Sequence, residues 1–223
     1  MTTFANLQTV LSRALRDTGA TPTFSAQETA DFLNEGITEV SLLAPKQFYE
    51  NLVPIADALT YALVAGTGPE VEVKRVEVWD ITVTPNKQAS WLSPASAEYQ
   101  HDSQTGWEYY AGLLRIPNAI EANIIVGTHQ IRVRGYAPYT TTDVASGSAT
   151  DVGMSNEIER AALAYARMQA LERLLYDRAK FAQYASQNNA SDVTPASLIG
   201  DIGRTQAEWR RRSRAITVLR EQP

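Results

Sequence analysis

The sequence predicts an α+β fold: a helical bundle of four main helices, an inserted antiparallel β-sandwich or small β-barrel, and a C-terminal docking helix or tail. Three observations predict it. Apolar residues recur at helical spacing near both ends of the chain. The period falls to two between about residues 51 and 137. The segment 204–223 carries a charge opposite to that of the rest. The implied division is 1–50 and 154–190 for the bundle, 51–138 for the β domain, 139–153 for a loop and 191–223 for the C-terminal extension.

Thr3 can cap a first helix whose apolar face is Leu7, Val10, Leu11, Ala14 and Leu15. Gly19 is placed to end it. Ser25 and Glu28 have the spacing of a capping box for a second helix. Phe32, Leu33, Ile37 and Val40 form its stripe, and Pro45 marks its end. Gly36 lies inside this helix, where it costs about 1 kcal/mol relative to Ala. Close approach of a neighbouring helix is the expected reason.

The β region begins after residue 50. Val71 and Val73 alternate with Glu70 and Glu72, and Val76 and Val78 continue one residue out of phase. A β-bulge or strand break at Lys74-Arg75 restores the burial pattern. Ile81 and Val83 alternate with Thr82 and Thr84 and predict more strand before a turn at Pro85-Asn86. Ser93-Pro94 suits the start of a short helix over 93–99. Ala111-Gly112 and Gly127-Thr128 are expected hairpin turns, the second joining strands 124–126 and 131–136. Ile131 and Val133 alternate with Arg132 and Arg134, so one face is buried and one wet.

A stretch rich in Thr, Ser, Ala, Gly and Asp then reads as a long loop. A third helix starts near Asn156 and Glu159 and is expected to run to about Ser186, roughly 45 Å. Ile158, Ala162, Tyr165, Leu171 and Leu175 mark one part of its surface, and Leu163, Ala166, Ala170, Leu174 and Phe181 another. That arc is wide enough for a central helix or for one that also meets a neighbouring subunit. Thr194 and Pro195 fit the cap and first position of a fourth helix. Its stripe of Leu198, Ile202, Trp209 and Ile216 is narrow, and a partner would bury it more easily than the chain's own core, which is the alternative.

Composition narrows the function. The 223 residues are 44% hydrophobic, enough for a core without staples. The absence of Cys excludes disulfides, thiolate metal sites and a Cys nucleophile. His101 and His129, the two histidines, cannot by themselves make a His-rich zinc site. No apolar run approaches the roughly 18 residues of a membrane span. The N-terminus lacks the pattern of a signal peptide, so synthesis in a cytoplasm is expected. Net charge is −5, yet residues 204–223 hold six Arg and two Glu, which leaves −9 elsewhere. Such a tail is either a solvated helix end or a docking segment for an acidic groove or nucleic acid.

Motifs for chemistry are scarce. No phosphate loop, H-E-x-x-H or G-x-S-x-G is present. Gly66-Thr67-Gly68 lacks the third Gly of a dinucleotide fingerprint, with Val71 in its place, and reads as a turn. His101-Asp102 is a surface pair without an associated nucleophile. Glu70 and Glu72 read as a solvated strand face rather than a glycosidase pair. Trp79, Trp91, Trp107, Tyr99, Tyr109, Tyr110, Tyr136 and Tyr139 are sheet residues or a binding platform, but the acidic body disfavours nucleic acid there. Asn189-Ala190-Ser191 matches a glycosylation acceptor, which has no meaning without secretion. No catalytic residue, cofactor or metal is expected.

This order of elements resembles the head–tail adaptor, or connector, proteins of tailed bacteriophages. The likeness spans most of the chain through layout and weak motifs. The second helix, Thr29-Ala30-Asp31-Phe32-Leu33-Asn34-Glu35-Gly36-Ile37, looks like the family's. The strand, turn, strand and Pro of Tyr110-Ala111-Gly112-Leu113-Leu114-Arg115-Ile116-Pro117 also match, as does the long helix over 159–184. The β region departs from minimal members, which lack it. The resemblance implies a non-enzymatic virion structural protein of the neck. It implies a homo-oligomeric ring, a dodecamer of roughly twelve copies, joining portal protein to a stopper or tail-completion protein. DNA would pass through without specific binding, and no membrane is involved. The C-terminal segment would bind portal, through Trp209, Arg210, Arg211, Arg212, Arg214, Ile216 and Leu219. These residues alternatively dock on the subunit's own bundle. The ring reading also expects that deleting 199–223 prevents joining and leaves the monomer fold intact. The alternative function is a nucleic-acid-binding or regulatory module using Arg204 to Arg214. A weaker one is a carbohydrate-binding module using Trp91, Trp107 and Tyr109.

Overall fold

The computed structural model describes residues 3–56, 58–64, 71–92, 106–110, 112–117, 123–140, 154–188 and 192–220. Among them the chain is mixed α+β, with five helices and seven strands in two antiparallel sheets. It divides into two compact units, Met1–Pro45 with Tyr139–Pro223, and Lys46–Pro138. The second is therefore inserted, in sequence, between the second and third helices.

In the helical unit, Thr3 Oγ1 accepts the Asn6 amide at the start of α1, Phe4–Ala14. Gly19 does not end this helix. The residue that turns left-handed is Arg16, at φ 55°. Asp17 then pins the following loop by accepting the Thr23 and Phe24 amides at 2.6 and 2.9 Å. The second helix, α2, spans Ala26–Leu43 and opens with the full Ser25–Glu28 capping box. At Gly36 an added Cβ would lie 2.4 Å from the Ala162 carbonyl oxygen, so the glycine is there for helix contact.

That contact is with α3, Asn156–Tyr176. Its buried Ala161, Ala162, Ala166 and Ala170 let neighbours approach, while Leu171 and Leu174 fill the core with Leu7, Leu11, Leu33 and Ile37. The expected single helix to Ser186 is two helices. Asp177 ends α3 with ψ 98°, and its carboxylate caps the Ala179 and Lys180 amides of α4, Arg178–Gln187. An Asp side chain competes with the helical ladder for these amides, which the apolar spacing does not register.

The last helix, α5, spans Pro195–Arg220, about 39 Å. Thr194 and Ser197 cap it reciprocally. Its Leu198, Ile202 and Ile216 are buried in the helical unit's own core. A partner is thus not needed to cover the stripe, because α3 and α2 already do. The expectation that removing 199–223 spares the monomer fold is corrected accordingly.

In the inserted unit, β1 (Lys46–Leu52), β7 (His129–Ala137), β3 (Glu72–Asp80) and β4 (Lys87–Leu92) form one sheet in that order. The other is β2 (Thr60–Ala62), β6 (Leu113–Arg115) and β5 (Glu108–Tyr110). Both orders have free ends, so no closed barrel forms among the described residues. Val76, Val78, Ile131 and Val133 from the first sheet and Tyr61 and Leu114 from the second enter one core with Leu63, Trp107 and Ile116. The register of β3 on β7 slips between Val73 and Arg75, where the phase of the valines requires a bulge. Gly112, at φ 86°, serves the expected β5–β6 turn.

Three strand boundaries differ from expectation. β1 begins at Lys46, before the alternation is visible. Residues 81–86 leave the ladder, with Ile81 and Val83 40% and 41% exposed, because Asp80 Oδ1 accepts the Thr82 amide and hydroxyl and turns the chain. Residues 124–126 form no strand, and the chain turns over 126–128, where Ile125 O accepts the amides of Thr128 and His129. β7 pairs instead with β1 and β3. The expected helix over 93–99, the Gly66-Thr67-Gly68 turn, Glu70, His101-Asp102 and Asn189-Ala190 lie outside the described residues, as does 141–153 of the expected loop.

Candidate functional site

The candidate residues of α5 divide by the side of the helix they occupy. Trp209 packs edge-on against Tyr165 of α3, with ring centroids 5.2 Å apart. Burial raises the Tyr165 pKa, with Glu39 and Glu35 adding to the rise. Ile216 is 1% exposed. Arg212 makes a two-pronged contact with Glu208 one turn earlier, at 2.9 and 2.8 Å, and reaches Glu157 of α3 at 3.8 Å. These three therefore dock on the subunit's own helices, the alternative reading of the tail. Arg210, Arg211 and Arg214 are exposed, and their side chains make no ion pair or hydrogen bond among the described residues. Positions three and four apart share a helix face, so Arg214 lies beside both Arg210 and Arg211. Leu219 lies in the last turn, and its side chain is outside the described residues. Arg204 pairs with Asp201 and does not join the free group.

A second polar assembly lies on the four-stranded sheet, and sequence reasoning missed its centre. Glu77 of β3 is 1% exposed. Its carboxylate accepts the Trp79 indole N–H at 2.7 Å, pairs with Arg75 and lies 3.8 Å from Arg134 of β7. Arg132 stacks over Trp79 at 3.9 Å, and Arg134 lies over Tyr49 at 5.2 Å. The signal was in the sequence. Once the bulge shifts the phase, Arg75, Glu77 and Trp79 fall on the same face as Arg132 and Arg134, opposite the valines. The wet face is thus a cross-linked layer of arginines and aromatic rings around one carboxylate.

Neither assembly pairs a nucleophile with a base. Trp107 is in the core, with its indole N–H given to Leu92 O at 2.9 Å, so it cannot serve as an exposed carbohydrate platform. His129 Nδ1 accepts the Ile125 amide. Among the described residues no group of acidic or His side chains could hold a metal ion, and no helix is long and apolar enough to cross a membrane. What the α5 arginines offer chemically is charge: three guanidiniums available to carboxylates or phosphates. No protein-family model matches the chain, and no curated protein matches it either.

Proposed function

We propose that this chain is a head–tail adaptor of a tailed-phage virion, a structural protein without catalysis. Identical copies form a ring under the portal, DNA passes through it, and a stopper or tail joins the far end. The observation that carries the reading is the basic edge of α5. Arg210, Arg211 and Arg214 are free of partners among the described residues while Trp209, Arg212 and Ile216 anchor the same helix. An anchored helix presents its charges at little entropic cost to an acidic partner surface, here the portal. A closed ring also needs two different contact faces on each subunit. Exposed Val10, Leu42, Tyr176 and Ile199 supply apolar surface for them.

In this reading the helices form the ring body as a four-membered bundle, with α3 and α4 as one broken member. The two sheets of the inserted unit pack on each other as a sandwich. The test is joint reversal of Arg210, Arg211 and Arg214 to Glu, followed by co-sedimentation with portal rings. Loss of co-sedimentation with an unchanged helical spectrum supports the reading, and undiminished binding rejects it. The same three free arginines support a second reading, a nucleic-acid-binding module. It requires affinity for DNA that falls steeply with salt, with a log–log slope near −3 for about three phosphate contacts.

A further inference from the structure

The helical unit contains a cavity of about 150 Å³ between the end of α1, the middle of α3, the end of α4 and the first turn of α5. One water needs only about 10–15 Å³ of such space. Arg16 and Arg167 both line it, with Tyr184 and Ser197. Three features set it apart from a packing gap. Arg167 Nε is buried and has no hydrogen-bond partner, although a buried donor without an acceptor is costly, the more so on a cation. Arg16, an exposed residue of the lining, brings a second guanidinium that makes no ion pair or hydrogen bond among the described residues. The first turn of α5, a helix of 26 residues, brings the positive end of its dipole to the same place.

We propose that this cavity binds a small oxyanion, a phosphate or a carboxylate, between the guanidiniums of Arg167 and Arg16, with the Tyr184 hydroxyl as a neutral donor. Burial pushes the Tyr184 pKa up, against the pull of Arg16 and Arg167, so the phenol keeps its proton at neutral pH. Two carboxylates also line the cavity. Asp201 is paired with Arg204, and Asp192 is already engaged in an interaction of its own. Their presence favours a singly charged ligand over a polyanion such as nucleic acid. The site is distinct from the free arginines of α5, which begin nearly three turns further along that helix, and does not depend on the adaptor reading.

The test is thermal unfolding of the full chain, titrated separately with inorganic phosphate and acetate at constant ionic strength. A saturable rise in Tm with either is expected, because a ligand of the folded state stabilises it by mass action. Phosphate active and acetate inert would define a phosphate site, and the reverse a carboxylate site. Arg167→Met should abolish the rise. Arg16→Gly should weaken binding on the order of tenfold. Glycine accepts the left-handed backbone, so this variant should unfold no earlier than the parent without ligand, which separates binding from folding. No saturable rise with either anion, or an equal rise in parent and Arg16→Gly, overturns the proposal.

Discussion

A methyl group at position 36 would collide with the Ala162 carbonyl, so Gly36→Ala must push α2 and α3 apart. Overpacking of this kind costs about 1–3 kcal/mol, and the urea midpoint should fall accordingly. A variant as stable as the parent would mean that the helices are not in contact there. At Glu77, replacement by Ala leaves the Trp79 N–H without its acceptor and two arginines without a counter-charge. The arginines are half-exposed and can turn to water, so the cost should be about 1–3 kcal/mol rather than that of a fully buried pair. Equilibrium unfolding measures it. Glu28 gives a pH signature. Its hydrogen bond with Lys180 holds the carboxyl below its ordinary 4.5, despite the opposing effect of burial. A depressed carboxyl contributes stability fully above its unfolded value and loses it as pH falls through the folded one. Lys180→Met should therefore lower stability at neutral pH and flatten the decline below about pH 4.5. An unchanged acid decline would contradict this.

At the scale of elements, α5 is the informative one. Ile216→Ala should cost the isolated chain about 2–5 kcal/mol, because the side chain is buried in its own unit. A negligible cost would restore the picture of a tail that waits for a partner. Asp177→Ala should cost about 1 kcal/mol as a lost cap and raise amide exchange at Ala179 and Lys180. Caps and bulges were legible in the sequence because they are local: Thr3, the Ser25–Glu28 box, the phase slip at Lys74-Arg75 and Thr194-Pro195 each depend on neighbours in the chain. The break at Asp177 was not, because an apolar period continues across it. Nor was the end of β3, where Asp80 outcompetes the alternation of Ile81 and Val83. Arg16 took the left-handed position that composition assigns to Gly19, since the buried Asp17 fixes the turn from the other side.

For the whole molecule, sequence and structure agree on an α+β chain with antiparallel sheets, and of the two expectations for the C-terminal segment, docking helix or tail, the structure has a helix that belongs to the helical unit. The candidate site was half legible. Its arginines stand out as a charge run, but which of them are free depends on where Glu208, Glu157 and Tyr165 lie. Packing decides that, and neither spacing nor charge encodes it. The central claim concerns assembly, so mass is its most direct measure. Light scattering of the chain with and without portal protein should give a ring-sized species, either alone or once portal is added. A monomer whose mass is unchanged by portal would contradict the adaptor account.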